Sequence, residues 1–372
     1  MRTACDDCLR RTELIAAMAA WLDVEWRRRS APSGVLSLPD AALLALDRTG
    51  RAAQRYAAFS PSRARARIVA AELTAVCRCE PDYPERLREL ADPPAVLHVA
   101  GRPRALEASD CVAIVGARRG SAYGLEVART LGRGLAAAGI PVVSGMAMGV
   151  DSAAHMGAFE HLRTQVDAPD ASYDAAPVAV LAGGADVPYP ASRRRLHAQL
   201  VQHGCVVSEL PPGFTAYRWC FVARNRLIAG LAALTVVVEA TARSGSLTTA
   251  DFAEQLGRPV GAVPGPVTSR FSGGTNTLLA AGACVVRDSR DVLDELLGPS
   301  SPRVEDSPSA VPIEPRFRRL LEAIERGHGS LAELSTDPAA TRQVLQDLTD
   351  LELRGLVRRE FGGRYLRTLE GR

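Results

Sequence analysis

Val115-Gly116-Ala117-Arg118-Arg119-Gly120-Ser121-Ala122-Tyr123-Gly124 follows the apolar run Val112 to Val115 and leads into a helical face marked by Leu125, Ala128, Leu131 and Leu135. A short apolar strand, a glycine-rich turn and an amphipathic helix in that order make the first half of a βαβ unit. The pattern recurs at Ser144-Gly145-Met146-Ala147-Met148-Gly149-Val150-Asp151 and at Ser244-Gly245-Ser246-Leu247-Thr248-Thr249-Ala250. Apolar runs predict strands at Val112 to Val115, Pro141 to Ser144, Val178 to Leu181, Val206 to Glu209, Leu234 to Glu239, Val260 to Val263 and Cys284 to Arg287. Helical stretches of about ten to fifteen residues alternate with them, so the fold class is α/β, a Rossmann-like doubly wound parallel sheet. Such sheets bind ligands beyond the carboxyl ends of their strands, and all three glycine segments fall there.

Backbone N–H groups at these turns lie where the positive end of a helix dipole meets solvent, a place suited to an anion. One glycine-rich turn would be ordinary chain reversal. Three of them, with Arg224-Asn225-Arg226 nearby, point to an extended polyanion rather than a single phosphate. Arg118 can grip phosphate oxygens through two N–H groups at once, and Gly116 and Gly120 can let a strand approach the backbone closely. Ser121, Ser144, Ser244 and Ser246 offer hydroxyls, Arg224 and Arg226 add charge, and contacts of this kind position a strand without reading its bases. Tyr123 and Phe221 are candidates for base stacking, with packing beneath the loop as the alternative.

The chain has 372 residues, enough for two or three domains, and a net charge of only +3, so a nucleic-acid surface has to be a local patch. It contains no lysine; every basic side chain is arginine or histidine. A nucleotide-binding loop of the G-x-x-x-x-G-K-[ST] type is thereby excluded. The amino-terminal stretch carries Asp6, Asp7 and Arg10 where a secretion signal would be apolar. The uncharged segment Gly134 to Val150 is broken by Gly139, Pro141 and Gly145. A cytoplasmic protein with no membrane partner is the expectation. The eight cysteines read as free thiols. Cys5-x-x-Cys8 and Cys77-x-Cys79 could together offer four thiolates to zinc, but the second spacing is tight and the pairs are far apart, so thiols without a role are preferred and no metal or cofactor is expected.

Residues 1 to 75 read as a small helical module, with apolar positions around Leu14, Ile15, Met18 and Leu22, around Leu43, Leu44 and Leu46, and from Ile68. Arg27-Arg28-Arg29 and the run Arg63 to Arg67 read as solvated faces. The α/β domain spans 80–297, a Pro- and Ser-rich linker 298–315, and a tail 316–372. In the tail, helices near Phe317 to Glu325, Leu331 to Leu334 and Ala339 to Arg354 precede two short strands flanking Gly362-Gly363, the outline of a winged helix.

The ordered set Gly116-Ala117-Arg118, Ser121-x-Tyr123-Gly124, Ser144-Gly145-x-Ala147-x-Gly149-Val150-Asp151-x-x-Ala154-His155, Tyr189-Pro190, Ser208-Glu209, Phe221-x-x-Arg224-Asn225-Arg226-x-Ile228-Ala229-Gly230-Leu231, Glu239-x-x-x-x-Ser244-Gly245-Ser246-x-x-Thr249-Ala250 and Pro264-Gly265-Pro266 resembles the DNA-processing protein A family, also called Smf. The likeness covers about residues 80–297, beginning with Asp82-Tyr83-Pro84-x-x-Leu87; the amino-terminal module (SAM-like or helix-hairpin-helix-like) and the winged helix match that architecture more loosely. The resemblance implies a dimeric single-stranded DNA-binding protein of natural transformation and recombination that protects incoming DNA and loads the recombinase RecA. Residues expected at the DNA are Gly116, Arg118, Gly120, Ser121, Tyr123 and Gly124 in the first segment and Ser144 and Gly145 in the second. Ser244, Gly245, Ser246 and Thr249 belong to the third, with Phe221, Arg224, Asn225 and Arg226 between. The chain departs from the family pattern at Met148, where a basic residue is usual, at Arg193 for asparagine and at Val222 for proline. It also carries an insertion, Gln165 to Asp174, that reads as a surface loop.

No catalysis is expected. His155 lies four residues after Asp151 and could form an acid–base pair with it, but an Asp151 cap beside a packed histidine is preferred. Glu209 and Glu239 end strands in the cleft and read as loop organisers that bond backbone N–H groups or pair with Arg224 or Arg226. The rival is a nucleotide phosphoribohydrolase-like enzyme of related α/β fold, which is expected to show P-G-G-x-G-T-x-x-E where this chain has Ser244-Gly245-Ser246-Leu247-Thr248-Thr249-Ala250.

Overall fold

A computed structural model describes residues 4–29, 34–164, 175–299, 314–335, 337–354, 356–359 and 363–367. The expected insertion loop, most of the expected linker and Gly362 at the predicted tail hairpin lie outside the described residues. The chain divides into two compact units, Met1–Pro302 and Arg303–Arg372.

The first unit opens with helices α1 (Asp6–Ala17), α2 (Ala19–Arg29), α3 (Asp40–Leu46), α4 (Arg51–Ala57) and α5 (Pro61–Ala70). Strand β1 (Thr74–Cys77), the one-turn α6 (Glu85–Arg88) and β2 (Val96–Gly101) follow. The alternation then runs β3 (Val112–Val115), α7 (Ala122–Ala137), β4 (Val142–Ser144), α8 (Val150–Thr164), β5 (Val178–Val180), α9 (Arg194–His203), β6 (Cys205–Ser208) and α10 (Arg218–Leu231). It ends with β7 (Leu234–Val237), α11 (Leu247–Gln255), β8 (Val260–Ala262), α12 (Gly273–Ala280), β9 (Cys284–Val285) and α13 (Ser289–Leu297).

The nine strands form one sheet in the order β1-β2-β6-β5-β4-β3-β7-β8-β9. All seven strands anticipated from apolar runs are present and mutually parallel, from β6 across to β9. Two more, β1 and β2, are not anticipated; they extend the β6 edge with antiparallel pairing. From β3 the chain winds through α7 to β4 on one side, while β7 returns on the other side of β3. The carboxyl ends of β3 and β7 therefore flank the point where strand order reverses, the crevice in which such sheets hold ligands.

Local chemistry sets the helices that frame this crevice. The Ser121 hydroxyl accepts the Gly124 N–H at 3.1 Å and caps α7, whose inner face buries Val127, Ala128, Leu131 and Leu135. Along α7 and α8, Gly132 sits against the Ala154 carbonyl and Gly157 against the Arg129 carbonyl. A Cβ on either would come within 2.1 and 1.9 Å of those oxygens. The two helices approach this closely because both contact points lack side chains.

The amino-terminal helices share a core with α10: Leu14, Met18, Leu22 and Leu43 pack with Trp219 and Cys220. Trp219 Nε1 donates to the Ala19 carbonyl at 3.1 Å, and the Arg218 N–H at the start of α10 donates to Asp23 at 3.0 Å. No helix among the described residues is long and apolar enough to cross a membrane.

The second unit contains α14 (Pro315–Glu325), α15 (Leu331–Leu334), α16 (Pro338–Leu353), β10 (Val357–Arg359) and β11 (Tyr365–Arg367). The strands pair antiparallel, and Phe317, Leu321, Leu348, Leu351, Val357 and Tyr365 form a separate core. A reciprocal cap between Ser330 and Glu333 starts α15.

Candidate nucleic-acid interface

The loops after β3, β4 and β7 meet α10 at one cleft of about 370 Å³. Gly116, Arg118 and Arg119 line it from the first loop, Ala147 and Asp151 from the second, and Ser244, Gly245 and Ser246 from the third. Phe221, Arg224, Asn225 and Ile228 line it from α10, and Thr249 comes from the first turn of α11. Positions 221, 224, 225 and 228 are spaced three and four apart and fall on one helix face.

Arg118 is exposed at the rim, and its guanidinium carbon lies 5.2 Å from the centre of the Phe221 ring. Phe221 in turn lies 5.1 Å from the ring of Tyr189, which is 46 % exposed. Arginine and two rings thus form a tier that runs from the cleft, lined by Arg118 and Phe221, to Tyr189 outside its lining, an arrangement favoured by the negative face of each ring. Arg224 forms the floor: it is buried, packs its guanidinium against Gly145, and donates Nη1 to the Val180 carbonyl at 3.1 Å. A Cβ at Gly145 would fall 1.4 Å from Arg224 Nη1, so that glycine makes room for the arginine. Arg224 Nε has no hydrogen-bond partner among the described residues. Burial pushes the Arg224 pKa down to about 10, with Arg118 adding to the fall and Asp151 opposing it; the side chain stays charged at neutral pH. Asn225 donates Nδ2 to the Gly245 carbonyl at 3.0 Å and to Thr248 Oγ1 at 2.7 Å, and so fixes the third loop. Ser244 and Ser246 share a hydrogen bond of 2.7 Å between their hydroxyls, which leaves one hydroxyl proton of the pair to donate outward. Gly245 is exposed, with nothing within 4 Å of where a Cβ would stand.

Several expected contacts are redirected inward. The Ser121 hydroxyl donates to Glu239 Oε1 at 2.5 Å and its N–H to Oε2 at 2.8 Å, so Glu239 organises the first loop and leaves that hydroxyl nothing for a ligand. The space before Gly116, Gly120 and Gly124 is filled by protein: a Cβ would meet Val150 at 2.8 Å, Glu239 at 3.2 Å and Glu239 at 2.3 Å. These glycines let the loop close over Glu239 rather than opening it to a strand. Ser144 is fully buried and donates to the Ile114 carbonyl at 2.6 Å. Thr249 is 1 % exposed and forms part of the cleft's base. Tyr123, 44 % exposed, lies outside the cleft lining, and its hydroxyl donates to the Pro264 carbonyl at 3.3 Å.

Arg226 is also corrected. Two residues on from Arg224, it turns about 200° around α10 and lines a different, smaller cavity with Arg11 and Ile15. There it donates Nη2 to Glu209 at 2.5 Å and pairs with Asp92 at 3.2 Å. Glu209 is pushed above the usual carboxylate range by burial, against the pull of Arg226.

The Asp151 carboxylate stands inside the first turn of α8 rather than capping it. It accepts the Gly145 N–H at 3.1 Å and braces the second loop. Burial raises its pKa, while Arg224 and the N–H groups of Ala147 and Gly145 oppose the rise. His155 is wholly buried, has no partner for either ring nitrogen among the described residues, and is pushed down to about 3 by burial and the charge of Arg224. It packs as a neutral ring.

Three of the polar and aromatic residues lining the cleft carry no individual prediction from sequence: Arg119, Thr241 and Phe271. Phe271 lines the cleft, with the Arg270 guanidinium carbon 4.8 Å from its ring centre. Arg119 could have been singled out by its adjacency to Arg118; the other two come from loops whose path the apolar runs do not define.

The sequence profile of the DNA recombination-mediator protein A family matches residues 74–297. A putative DNA processing protein DprA of Mycobacterium tuberculosis is 40% identical over 279 residues, covering 73% of this chain and 68% of that protein. The DNA processing protein DprA of Bacillus subtilis is 34% identical over 215 residues, covering 58% of this chain and 68% of the relative. The crystal structure of DNA processing protein A from Streptococcus pneumoniae aligns with a TM-score of 0.62 at 29% identity, covering 78% of this chain and 96% of that one. A structure of DNA processing protein A from Helicobacter pylori, described for its single-stranded DNA binding mode, aligns with a TM-score of 0.52 at 28% identity, over 61% of this chain and 96% of that one.

Proposed function

The chain belongs to the DNA recombination-mediator protein A family, and from that premise we propose that it binds single-stranded DNA across the three-loop cleft and passes the strand to a RecA-type recombinase. Protection and delivery of incoming DNA in natural transformation and recombination, by a homodimer in the cytoplasm, complete the reading. The observation that carries it is the convergence of three helix-initiating loops on one cleft with Arg224 at its floor and Arg118 at its rim. The backbone N–H of Gly245, the outward hydroxyl proton of the Ser244–Ser246 pair and the Arg118 guanidinium are donors without sequence preference, suited to phosphodiester oxygens. Phe221 and Tyr189 offer ring faces beside them for unpaired bases.

A binding role without catalysis is supported by the fate of the acidic groups. Glu239 is consumed by Ser121, Glu209 by Arg226, and Asp151 by backbone N–H groups, while His155 is sealed from the cleft. None of these three carboxylates is left poised beside a nucleophile as a hydrolase would require. The second unit, read as a winged helix, is proposed as a subsidiary contact for DNA or protein.

Gel-shift titrations with single-stranded and duplex oligonucleotides of matched length test the reading. Preference for the single strand, little sequence bias and a steep loss of affinity with salt are expected. Equal affinity for both forms at moderate salt, or release of free base from nucleoside monophosphates, would overturn it.

A further inference from the structure

The fold brings together four sulfurs that the sequence holds in two distant pairs. Cys5 is the residue before α1, and Cys8 stands one turn inside that helix. Cys77 closes β1, and Cys79 lies in the turn that follows, where the Glu80 N–H donates back to the Cys77 carbonyl at 2.9 Å. The four Sγ atoms all lie within 4.8 Å of one another, with Cys8 and Cys79 3.6 Å apart. A tetrahedral zinc site with Zn–S bonds of about 2.3 Å requires sulfur–sulfur edges of about 3.8 Å. A disulfide requires about 2.05 Å, and all four thiols are free.

The surroundings hold both cysteine pairs in place. Arg88 holds the turn from outside by donating to the Arg78 carbonyl at 2.5 Å and the Glu80 carbonyl at 2.7 Å. Arg65 donates to the Ala4 carbonyl at 3.1 Å, just before the first pair. Both backbone segments are therefore fixed by groups that are not themselves ligands, so the thiols are held in position before any metal arrives. The Glu80 carboxylate accepts from Cys77 Sγ at 3.6 Å, and its other oxygen is buried with no hydrogen-bond partner among the described residues.

We propose that Cys5, Cys8, Cys77 and Cys79 bind one Zn²⁺ as a closed tetrathiolate site that anchors α1 to the edge strand β1. Binding releases the thiol protons to solvent and forms four Zn–S bonds with no change in oxidation state. Four protein ligands leave no open position for water, so the site is structural. It closes a loop of about seventy residues (|i−j| of 71 for Cys8 and Cys79) that holds the first five helices against the sheet. Cys8 and Cys77 are already members of one buried cluster with Leu9, Ile68 and Leu73, and the metal would lock that contact from its outer side.

The test uses the full chain, purified without chelator or added metal. Elemental analysis should find about one zinc per chain. Exchange with Co²⁺ alone should give the intense red-region d–d bands and near-ultraviolet charge transfer of tetrahedral thiolate coordination. Cys79→Ser, at an exposed position, and Cys8→Ser should each lower metal content about tenfold or more, whereas Cys111→Ser and Cys284→Ser should leave it unchanged. Circular dichroism establishes that the variants are folded. The proposal is overturned by a chain that takes up no zinc while its four thiols remain reduced, by equal metal content in Cys79→Ser and the parent, which marks an adventitious ion only, or by a Cys8–Cys79 disulfide in the intact mass.

Discussion

Arg224 and Arg226 stand on the same helix, both are buried, and their surroundings are opposite. Arg226 meets two carboxylates, Glu209 and Asp92, inside a small cavity beneath α1. Arg224 lines the cleft, donates to one backbone carbonyl and lies near an acid that the Gly145 N–H already bonds; the Nε atoms of both arginines are buried without a hydrogen bond among the described residues. A buried charge paired with carboxylates of the protein is a structural element; one that lines a cleft and bonds a carbonyl there is the better placed to meet an anion from outside. On the proposed reading, the two faces of α10 separate holding the fold from meeting a ligand within a single turn.

The largest expected effect lies on the Arg226 face. Arg226→Ala leaves the half-buried Glu209 and Asp92 facing each other without their cation and should lower unfolding free energy by about 3 kcal/mol, measured by urea denaturation. The folded fraction should bind DNA as the parent does, and a selective loss of binding at unchanged stability would erase the distinction between the faces.

Acid should sharpen it next. In the unfolded chain His155 and His98 take up a proton near 6.5, whereas in the fold burial holds them neutral down to about 3 and about 4. Below pH 6.5 the unfolded state therefore binds more protons, so this contribution is full at neutral pH and falls by about 1.4 kcal/mol per pH unit for each histidine as acid is added. Asp151 and Glu209, both raised by burial, act in the opposite direction at lower pH. Denaturation at several pH values should show His155→Gln losing its share of the slope between pH 6.5 and 4. An unchanged slope would mean that water reaches His155 beneath the cleft floor.

On the cleft face, Arg118→Ala should weaken single-strand binding by about 1.5–3 kcal/mol, the scale of a hydrogen bond to a charged group. Its melting transition should not move, because the side chain is exposed. Parent-like binding by Arg118→Ala alongside a loss in Arg224→Ala would place the strand away from the first loop. The smallest effect should come from removing residues 303–372. All three loops belong to the first unit, so fluorescence titration of the folded truncation should show less than a tenfold change, or about 1.4 kcal/mol.

The seven parallel strands were legible because each is a short apolar run ending at a turn signal, and observed and predicted ends differ by no more than two residues. Strands β1 and β2 were not. Thr74–Cys77 is four residues long and follows a helix closely, and Val96–Gly101 carries the buried His98 in the middle of its run. The site was legible to the level of its loops but not of its side chains. Glycine spacing located the turns, yet whether a glycine opens toward a ligand or makes room for Glu239 depends on a residue more than a hundred positions away. Arg226 is different, since an interval of two on a helix already places it opposite Arg224. The cysteine pairs are seventy residues apart, and only the pairing of β1 at the sheet edge, itself unanticipated, brings them within reach.

The contact between α7 and α8 at Gly132 and Gly157 has a consequence for the two loops that precede those helices. With backbone resting on backbone, neither helix can slide or tilt independently, so their amino ends keep a constant interval. The pair works as a fixed-gap caliper. Phosphates held at both ends would be gauged by their separation, and a single methyl group at position 132 or 157, far from any nucleotide, would reset the gauge.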